Sequence, residues 1–345
     1  MQASKQASKQ ASKQVRVLSL FSGIGAFEEG LINLGVNFNL VGYSEFDKYA
    51  AKAYSLIHNV SEEKNLGDIN YIDETLLPDF DLMTYGFPCQ SFSVQGKRLG
   101  FEDPEKGNLF FESMRIVRHK KPKYMIAENV KGLLQHDKGD TFKTILKTLE
   151  FLGYNNYYEI LNTVDFDIPQ SRERIFIVSI RKDVDKLLFK MPVGVKTNKK
   201  VMDILDDDKD RKLVKDSLKK FMNNTYFTKT YESEFGIKKL FDGCAEGYFT
   251  SSFSSNRIFS IYGVSPTLTT KNDAVYYEIN GHLNHRERFA LQGFNKSYAD
   301  LLLNNGIPKS EIDKMSGNSI TVNVIQEIQK RLLTSQNEIN IKIAM

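Results

Sequence analysis

The segment Gly86-Phe87-Pro88-Cys89 constrains the fold of this chain more than any other feature. The apolar run before it, Phe80 to Tyr85, predicts a short buried strand, which the glycine and the proline end in a turn. Cys89 follows directly and is one of only two cysteines in 345 residues. Because α/β proteins place their chemistry at the carboxyl ends of the strands, we predict such a sheet with Cys89 as its nucleophile.

The length and composition fit a globular enzyme. A chain of 345 residues allows two domains, or one large domain with an insertion. No apolar run reaches the roughly 18 residues of a membrane-spanning helix, and the N-terminus has no apolar signal-peptide core. Two cysteines suit a reducing cytosol, so we expect a cytoplasmic protein without membrane contact. The net charge of +4 permits a nucleic-acid partner but does not require one.

Residues 2–14 repeat the unit Gln-Ala-Ser-Lys and contain nothing to bury, so we predict a disordered tail. Four codons span twelve bases, which are three copies of a four-base unit. Three copies of CAAG read as the codons CAA, GCA, AGC and AAG, which encode Gln-Ala-Ser-Lys. One interpretation is therefore a tetranucleotide tract in the gene, whose slippage would switch expression on or off. The alternative is a solvated or artificially added tail, and the codons decide between the two.

The first part of the chain has the order strand, glycine turn, helix. Residues 15–21 predict the first strand, and Ser22-Gly23-Ile24-Gly25 follows as a partial match to a dinucleotide-binding turn. Glu45 follows the second predicted strand and Asp68 lies in a further turn, where acids hold ribose hydroxyls. Each acid alone is equally well explained as a helix cap or a loop charge. Together, without a phosphate-binding Gly-Lys-Ser/Thr, they favour S-adenosylmethionine over a dinucleotide.

The segments after Cys89 supply further polar groups at strand ends. Residues 94–101 contain two glycines and the cations Lys97 and Arg98, which suit either a mobile lid that binds phosphate or an ordinary exposed loop. Residues 123–127 predict a buried strand that ends in Glu128-Asn129-Val130, which puts an acid at the carboxyl edge of the sheet. Further strands are predicted at residues 156–164 and 175–180.

Six segments occur together in the order and spacing of one enzyme family. They are Phe21-Ser22-Gly23-Ile24-Gly25, Pro88-Cys89-Gln90, Glu128-Asn129-Val130, Gln170-Ser171-Arg172-Glu173-Arg174, Arg286 to Phe294, and Gly317-Asn318-Ser319. With these segments the chain resembles the DNA (cytosine-5)-methyltransferase family over roughly residues 15–182 and 257–333. Although Pro-Cys-Gln alone is common by chance, the ordered set is specific.

The resemblance implies a Rossmann-like, S-adenosylmethionine-dependent methyltransferase sheet with a smaller target-recognition domain. The expected division is a disordered repeat tail over residues 1–14, a catalytic domain over 15–190 and 312–345, and a target-recognition domain over 191–311. We expect the final helix to begin at Asn318, and a shared strand within residues 257–270.

The resemblance also implies the catalytic residues. Cys89 would add to C6 of a cytosine flipped out of the duplex, which makes C5 nucleophilic toward a methyl donor. Glu128 would neutralise N3, and Arg174 would contact O2. Arg172 is assigned to the same set, where it would brace the loop or a phosphate. No residue stands out as the base that removes the C5 proton, so water is expected to serve.

The resemblance assigns the cofactor and DNA contacts by position. S-adenosylmethionine would contact Phe21, Gly23, Ile24, Gly25, Glu45, Phe46, Asp68, Ile69, Pro88 and Asn318. Phe46 stands where many members have an adenine-stacking Trp. DNA would contact Gln90, Ser93, Lys97, Arg98, Ser254, Arg257 and Thr267. Ser254 or Ser255 occupies the position where some members fill the gap left by the flipped base.

The partner expected from the resemblance is double-stranded DNA. We expect a monomer with no metal, and a separately acting restriction endonuclease is conceivable. Two alternatives stay open: a tRNA cytosine-5 methyltransferase, and a DNA-binding relative that has lost catalysis. The recognition sequence does not follow from the chain alone.

Overall fold

The fold is built on a six-stranded sheet. The computed structural model describes residues 14–88, 109–207, 211–222, 227, 230–250, 254–271 and 273–338. The strands are β1 (Val15–Leu20), β2 (Phe38–Ser44), β3 (Leu82–Tyr85), β4 (Tyr124–Val130), β5 (Tyr154–Asn162) and β6 (Glu173–Arg181). Their order is β2-β1-β3-β4-β6-β5, with β6 antiparallel to both neighbours and the other pairs parallel. The predicted α/β class is confirmed.

Helices cover both faces of this sheet. They are α1 (Ala26–Asn33), α2 (Lys48–His58), α3 (Leu109–Lys120), α4 (Asp140–Phe151) and α9 (Val322–Ser335). Because side chains alternate along a strand, Leu18 of β1 joins the core under α3 and α4, whereas Val17 joins the core under α1 and α9. Within the described ranges, no helix has the length and apolar character needed to cross a membrane.

A smaller sheet follows in the chain. Its strands are β7 (Tyr231–Glu232), β8 (Lys238–Asp242), β9 (Arg257–Phe259) and β10 (Val275–Tyr276), in the order β10-β9-β8-β7. The short helix α5 (Asp216–Lys219) packs on it through Leu218. The segment before β6 pairs with the segment after β9, where Ser265 N–H donates to Pro169 O and Ser171 N–H donates to Ser265 O, each at 2.8 Å.

Three helices join the smaller sheet to the end of the chain. They are α6 (His285–Ala290), α7 (Lys296–Asn304) and α8 (Lys309–Asn318). Phe289, Leu302 and Ile312 from these helices share one hydrophobic core with Ala53 and Ile57 of α2. The sequence prediction assigned residues up to 311 to the smaller domain, and this packing favours a boundary before α6.

Two sequence-based boundaries differ from the structure, and one strand end agrees with it. Asn318 does not begin the final helix: it ends α8, and α9 begins at Val322, because Ser319 has an extended backbone. The strand expected within residues 257–270 is confined to Arg257–Phe259, and Pro266, which lacks an N–H to donate, lies in the irregular part. The strand end that agrees is that of β4, which ends at Val130, where Val130 pairs with Arg174 of β6.

Candidate functional site

The carboxyl ends of β1, β3 and β4 surround a cavity of about 490 Å³. Nine of the predicted catalytic and cofactor residues line it: Phe21, Gly23, Ile24, Glu45, Pro88, Glu128, Arg172, Arg174 and Asn318. A neighbouring cavity of about 370 Å³ shares Glu45 and is lined by Phe46 and Asp68. The predicted site residues thus meet at one edge of the sheet. Cys89, Gln90, Ser93, Lys97 and Arg98 lie outside the described residues.

The turn between β1 and α1 has a left-handed backbone. φ is 52° at Phe21, 55° at Gly23 and 81° at Gly25. A Cβ on Gly25 would lie 2.0 Å from His58 Nε2, so only glycine fits between the turn and α2. Nε2 of His58 donates to Ile24 O at 3.0 Å. Burial lowers the pKa of His58 to about 4, so a neutral imidazole supports the turn.

Glu45 follows β2 and is tied to the glycine turn. Its two carboxylate oxygens accept the N–H groups of Gly23 and Asp47, each at 2.8 Å. Burial raises the pKa of Glu45, while these N–H donors lower it in part. Asn65 Oδ1 accepts the N–H of Glu45 at 3.1 Å and that of Gly67 at 3.0 Å. Asn65 therefore fixes the acid against the next loop.

The neighbouring cavity combines an aromatic face with a carboxylate. Phe46 is 81% exposed there, which is unusual for a large apolar side chain. Asp68 uses Oδ1 to accept the N–H and the side-chain amide of Asn70, at 3.0 and 2.7 Å. Ile69 is 2% exposed and packs into the main core, so its side chain does not line either cavity. An exposed ring, two carboxylates and a glycine turn suit a nucleoside.

Glu128 forms an ion pair in the main cavity. Arg174 Nε lies 3.1 Å from Glu128 Oε1, and the two side chains are 17% and 12% exposed. Burial raises the pKa of Glu128, opposed by the charges of Arg174 and Arg172. A Cβ on Gly86 would lie 3.7 Å from Glu128 Oε2, so this oxygen faces the segment that leads to Cys89. The carboxyl is thus positioned to hold a proton near that segment.

Asn129 connects β4 with the same segment. Its Nδ2 donates to Phe87 O at 2.7 Å, and its Oδ1 accepts the N–H of Val130 at 2.8 Å. The residue is 5% exposed. The bond from Nδ2 holds the backbone just before Pro88, so Asn129 fixes the segment that leads to Cys89.

Arg172 is 4% exposed, and within the described part of the chain its side-chain hydrogen bonds all go to backbone carbonyls. It donates to the carbonyls of Leu268 and Gly317 at 3.1 Å each, and to that of Ser319 at 2.9 Å. Burial lowers its pKa to about 9. These contacts hold the backbone on both sides of Asn318 and connect it to Leu268.

The predicted DNA contacts in the described residues lie on or near the smaller sheet. Arg257 Nε donates to Asp242 Oδ2 at 2.9 Å, and Thr267 Oγ1 donates to Ser171 O at 2.7 Å. Ser254 begins a 3₁₀ turn, and Ser255, the other gap-filling candidate, is 7% exposed. Within the described part of the chain, no cluster of three His, Cys, Asp or Glu side chains could hold a metal ion.

Sequence reasoning missed His58, Asn65 and Asn129 as supporting residues. His58 and Asn65 occur in segments without a recognisable motif, so no signal would have found them. Asn129 belongs to a segment that resembles the family, and its place beside Glu128 was the only available signal.

Comparisons with known proteins agree with this arrangement. The model of the family described as C-5 cytosine-specific DNA methylase matches residues 15–334. The orphan methyltransferase M.SPRI of Bacillus phage SPR is 40% identical over 281 residues, which cover 74% of this chain but only 64% of that protein. The type II methyltransferase M.HhaI of Haemophilus parahaemolyticus is 34% identical over 332 residues, covering 94% of this chain and 95% of that protein.

A solved structure shares the fold at lower identity. The S. pombe Dnmt2 methyltransferase superposes with a TM-score of 0.67 and 19% identity, covering 94% of this chain and all of that chain. This likeness concerns the fold alone.

Proposed function

The chain belongs to the C-5 cytosine-specific DNA methylase family, and we propose that it transfers a methyl group from S-adenosylmethionine to C5 of a cytosine in double-stranded DNA. The observation that carries the proposal is the buried Glu128–Arg174 pair. It lies beside the segment that leads to Cys89 and in the same cavity as Glu45. An acid with a raised pKa, a cation and a cofactor cavity at one sheet edge suit methyl transfer to a ring.

The residues present fit S-adenosylmethionine. Phe46 offers its exposed face to adenine, while Glu45 and Asp68 offer carboxylate oxygens to the ribose hydroxyls and the adenine amine. Asn318 and Gly23 line the other end of the site. When bound, the cofactor supplies an electrophilic methyl group.

The proposed chemistry at the base uses three side chains. The thiolate of Cys89 adds to C6 and forms a C–S bond, which places charge on the ring. Glu128 gives its proton to N3 and neutralises that charge, while Arg174 contacts O2. C5 would then displace the methyl group of the bound cofactor, so that the C5–methyl bond forms as the bond from that carbon to the sulfonium sulfur breaks and the neutral thioether leaves. Water removes the C5 proton, the C5–C6 double bond returns as the Cys89 thiolate leaves, and N3 gives its proton back to the Glu128 carboxylate.

The target atom is hidden in a duplex, so the cytosine must be flipped out of the stack. We propose that the part of the chain centred on the smaller sheet reads one short target sequence, with Ser254, Arg257 and Thr267 near the DNA. The loop residues Gln90, Ser93, Lys97 and Arg98 remain predicted DNA contacts. A genomic DNA substrate fits a monomeric cytoplasmic enzyme.

We further propose that the enzyme modifies DNA within a restriction–modification system or as a solitary, phase-variable methyltransferase. The support for variable expression is the Gln-Ala-Ser-Lys repeat of residues 2–14. The gene sequence tests it: an uninterrupted CAAG tract supports slippage, and mixed synonymous codons refute it. Disruption of a neighbouring nuclease gene tests for a restriction partner.

The central experiment supplies labelled S-adenosylmethionine with duplex DNA or with tRNA, followed by bisulfite sequencing. We expect 5-methylcytosine in one short DNA sequence. Cys89→Ala should abolish methylation and retain cofactor binding, whereas Cys244→Ala, at the chain's other cysteine, should leave methylation unchanged. Methylation of tRNA alone, or of neither substrate, would overturn the proposal.

A further inference from the structure

One carboxylate in the smaller sheet holds an arginine and a lysine together. Asp242 ends β8 and pairs with Arg257, the first residue of β9. Its Oδ2 accepts from Arg257 Nε at 2.9 Å and from Lys239 Nζ at 2.7 Å, and 11% of its side chain is exposed. Burial raises the pKa of Asp242, but the bond from Lys239 and the Arg257 charge help to lower it overall. The carboxylate is therefore ionised at neutral pH.

The other oxygen of Asp242 shapes the loop after β8. Oδ1 accepts the N–H groups of Cys244 and Ala245, each at 3.2 Å. The backbone carbonyl of Asp242 accepts the N–H of Glu246 at 3.0 Å. A Cβ on Gly243 would lie 2.3 Å from the Phe249 ring, so the turn is also closely packed. One side chain thus fixes both the loop and the cations beside it.

The guanidinium of Arg257 is held at one nitrogen atom. Within the described residues, its side-chain hydrogen bond to protein runs from Nε, and 28% of the side chain is exposed. The planar fork of Nη1 and Nη2 is therefore not used by Asp242. A guanidinium fixed at Nε presents this fork in one direction, which suits a bidentate pair of acceptors such as O6 and N7 of guanine.

We propose that Asp242 is a specificity-determining positioning residue, which directs Arg257 to a base edge and limits its contact with phosphates. This inference rests on the proposed function, under which the smaller sheet reads DNA. A mobile arginine would bind phosphates of any sequence, because that attraction is electrostatic and carries no sequence information. The ion pair with Asp242 opposes such binding and favours directional hydrogen bonds.

Asp242→Asn is the informative substitution. The amide oxygen can still accept from Cys244 and Ala245, but the charge that holds Arg257 is lost. The matched control is Asp183→Asn, which removes the same charge from the partner of Arg181 at the opposite edge of the large sheet. Thermal unfolding and cofactor affinity show whether each variant is folded.

Two measurements test the proposal. Each enzyme first methylates a duplex pool with randomised bases around a fixed cytosine, and bisulfite sequencing gives the preference at each position. We expect Asp242→Asn to lose about ten- to a hundredfold of its preference at one base pair, the usual discrimination of a bidentate contact. Binding to an alternating poly(dA-dT) duplex is then measured from 0.05 to 0.5 M salt.

A released arginine should add about one phosphate contact to non-specific binding. The slope of log affinity against log salt should steepen by about 0.9, which makes binding about eightfold tighter at 0.1 M salt. Asp242→Asn combined with Arg257→Gln should reverse this gain, and Asp183→Asn should show none. If Asp242 only supported the loop, the variant would bind both cognate and poly(dA-dT) duplexes no more tightly than wild type.

Arg257→Lys gives an independent test should Asp242→Asn fail to fold. It keeps the charge but lacks the fork, so it should lose the same base preference. Wild-type preferences in Arg257→Lys or in a folded Asp242→Asn would overturn the proposal. Failure of the proposed function is a different result, because the wild-type enzyme would then methylate no cytosine in the pool.

Discussion

A buried glutamate next to the glycine turn between β1 and α1 should make stability depend on pH. Glu28 lies in the first turn of α1 and is 1% exposed. Neither carboxylate oxygen makes a hydrogen bond that meets geometric criteria with a described residue, although the backbone of Glu28 and the hydroxyls of Ser19 and Tyr54 are close enough to lower its pKa in part. Burial dominates and raises the pKa from 4.5 to about 7. The perturbation is Glu28→Gln, which imitates the protonated acid.

The sign and size of the change in the free energy of unfolding follow from the difference in the pKa of Glu28 between the folded and the unfolded chain. Below pH 4.5 Glu28 is protonated in both states, so its ionisation does not affect the free energy of unfolding. As pH rises from 4.5 to 7, the unfolded chain releases this proton first, so the free energy of unfolding falls; above pH 7 the loss is complete. At about 1.4 kcal/mol per pKa unit, Glu28→Gln should be more stable than wild type by about 3 kcal/mol at pH 8.

Urea unfolding followed by circular dichroism between pH 4.5 and 8.5 measures this difference. The two free energies should agree at the acid end and separate as pH rises through 7. Glu150→Gln, an exposed position on α4, serves as the matched control and should follow wild type throughout. A difference between Glu28→Gln and wild type that is independent of pH, or a less stable variant at pH 8, would refute the reasoning.

Three predictions concern the cavity itself. Asn129→Asp removes the amide that donates to Phe87 O, so kcat should fall about ten- to a hundredfold while cofactor affinity is unchanged. An unchanged kcat in methylation assays would contradict this prediction. In Arg172→Lys, the lysine cannot reach all three carbonyls, so S-adenosylmethionine should bind about tenfold more weakly, as measured by calorimetry. Equal affinity of the variant and the wild type would count against a supporting role for Arg172. Burial raises the pKa of Glu128, so the kcat of the wild-type enzyme should fall as pH rises through that pKa. Glu128→Gln should be slow, and its kcat should lack this fall. A variant with the wild-type pH profile would exclude Glu128 as the acid.

Much of the architecture could be predicted because each strand is indicated by a pattern of neighbouring residues in the sequence. β1, the glycine turn and α1 form one continuous pattern in the sequence, and Glu45 follows the next apolar run. Parallel strands bring such ends to one edge, so their convergence at the cavity followed from the predicted fold. Glu128 lies in the last residues of β4, as the sequence predicts, and pairing with β6 holds Glu128 to Val130 in the strand.

The supporting contacts could not be predicted because they join distant segments. The acceptors of Arg172 lie 96, 145 and 147 residues away in the chain. The bond from His58 to Ile24 spans 34 residues, and neither segment signals the other. The end of α8 at Asn318 was missed for the same reason: Gly317 and Asn318 indicate a cofactor contact but say nothing of the helix before them.

The buried segment that includes Gln170 and Arg172 fixes the smaller sheet relative to the cofactor cavity. Gln170 binds the carbonyl of Leu291 at 2.7 Å and the N–H of Leu268 at 2.9 Å, and Arg172 binds Leu268 O. Displacing one surface from the other would leave a buried guanidinium and a buried amide without partners, at a cost of about 1–3 kcal/mol for each lost contact. The smaller sheet and the cavity should therefore move as one unit. Under the proposed function, the cytosine would then have to leave its duplex to reach Glu128, because the smaller sheet could not close onto the cavity.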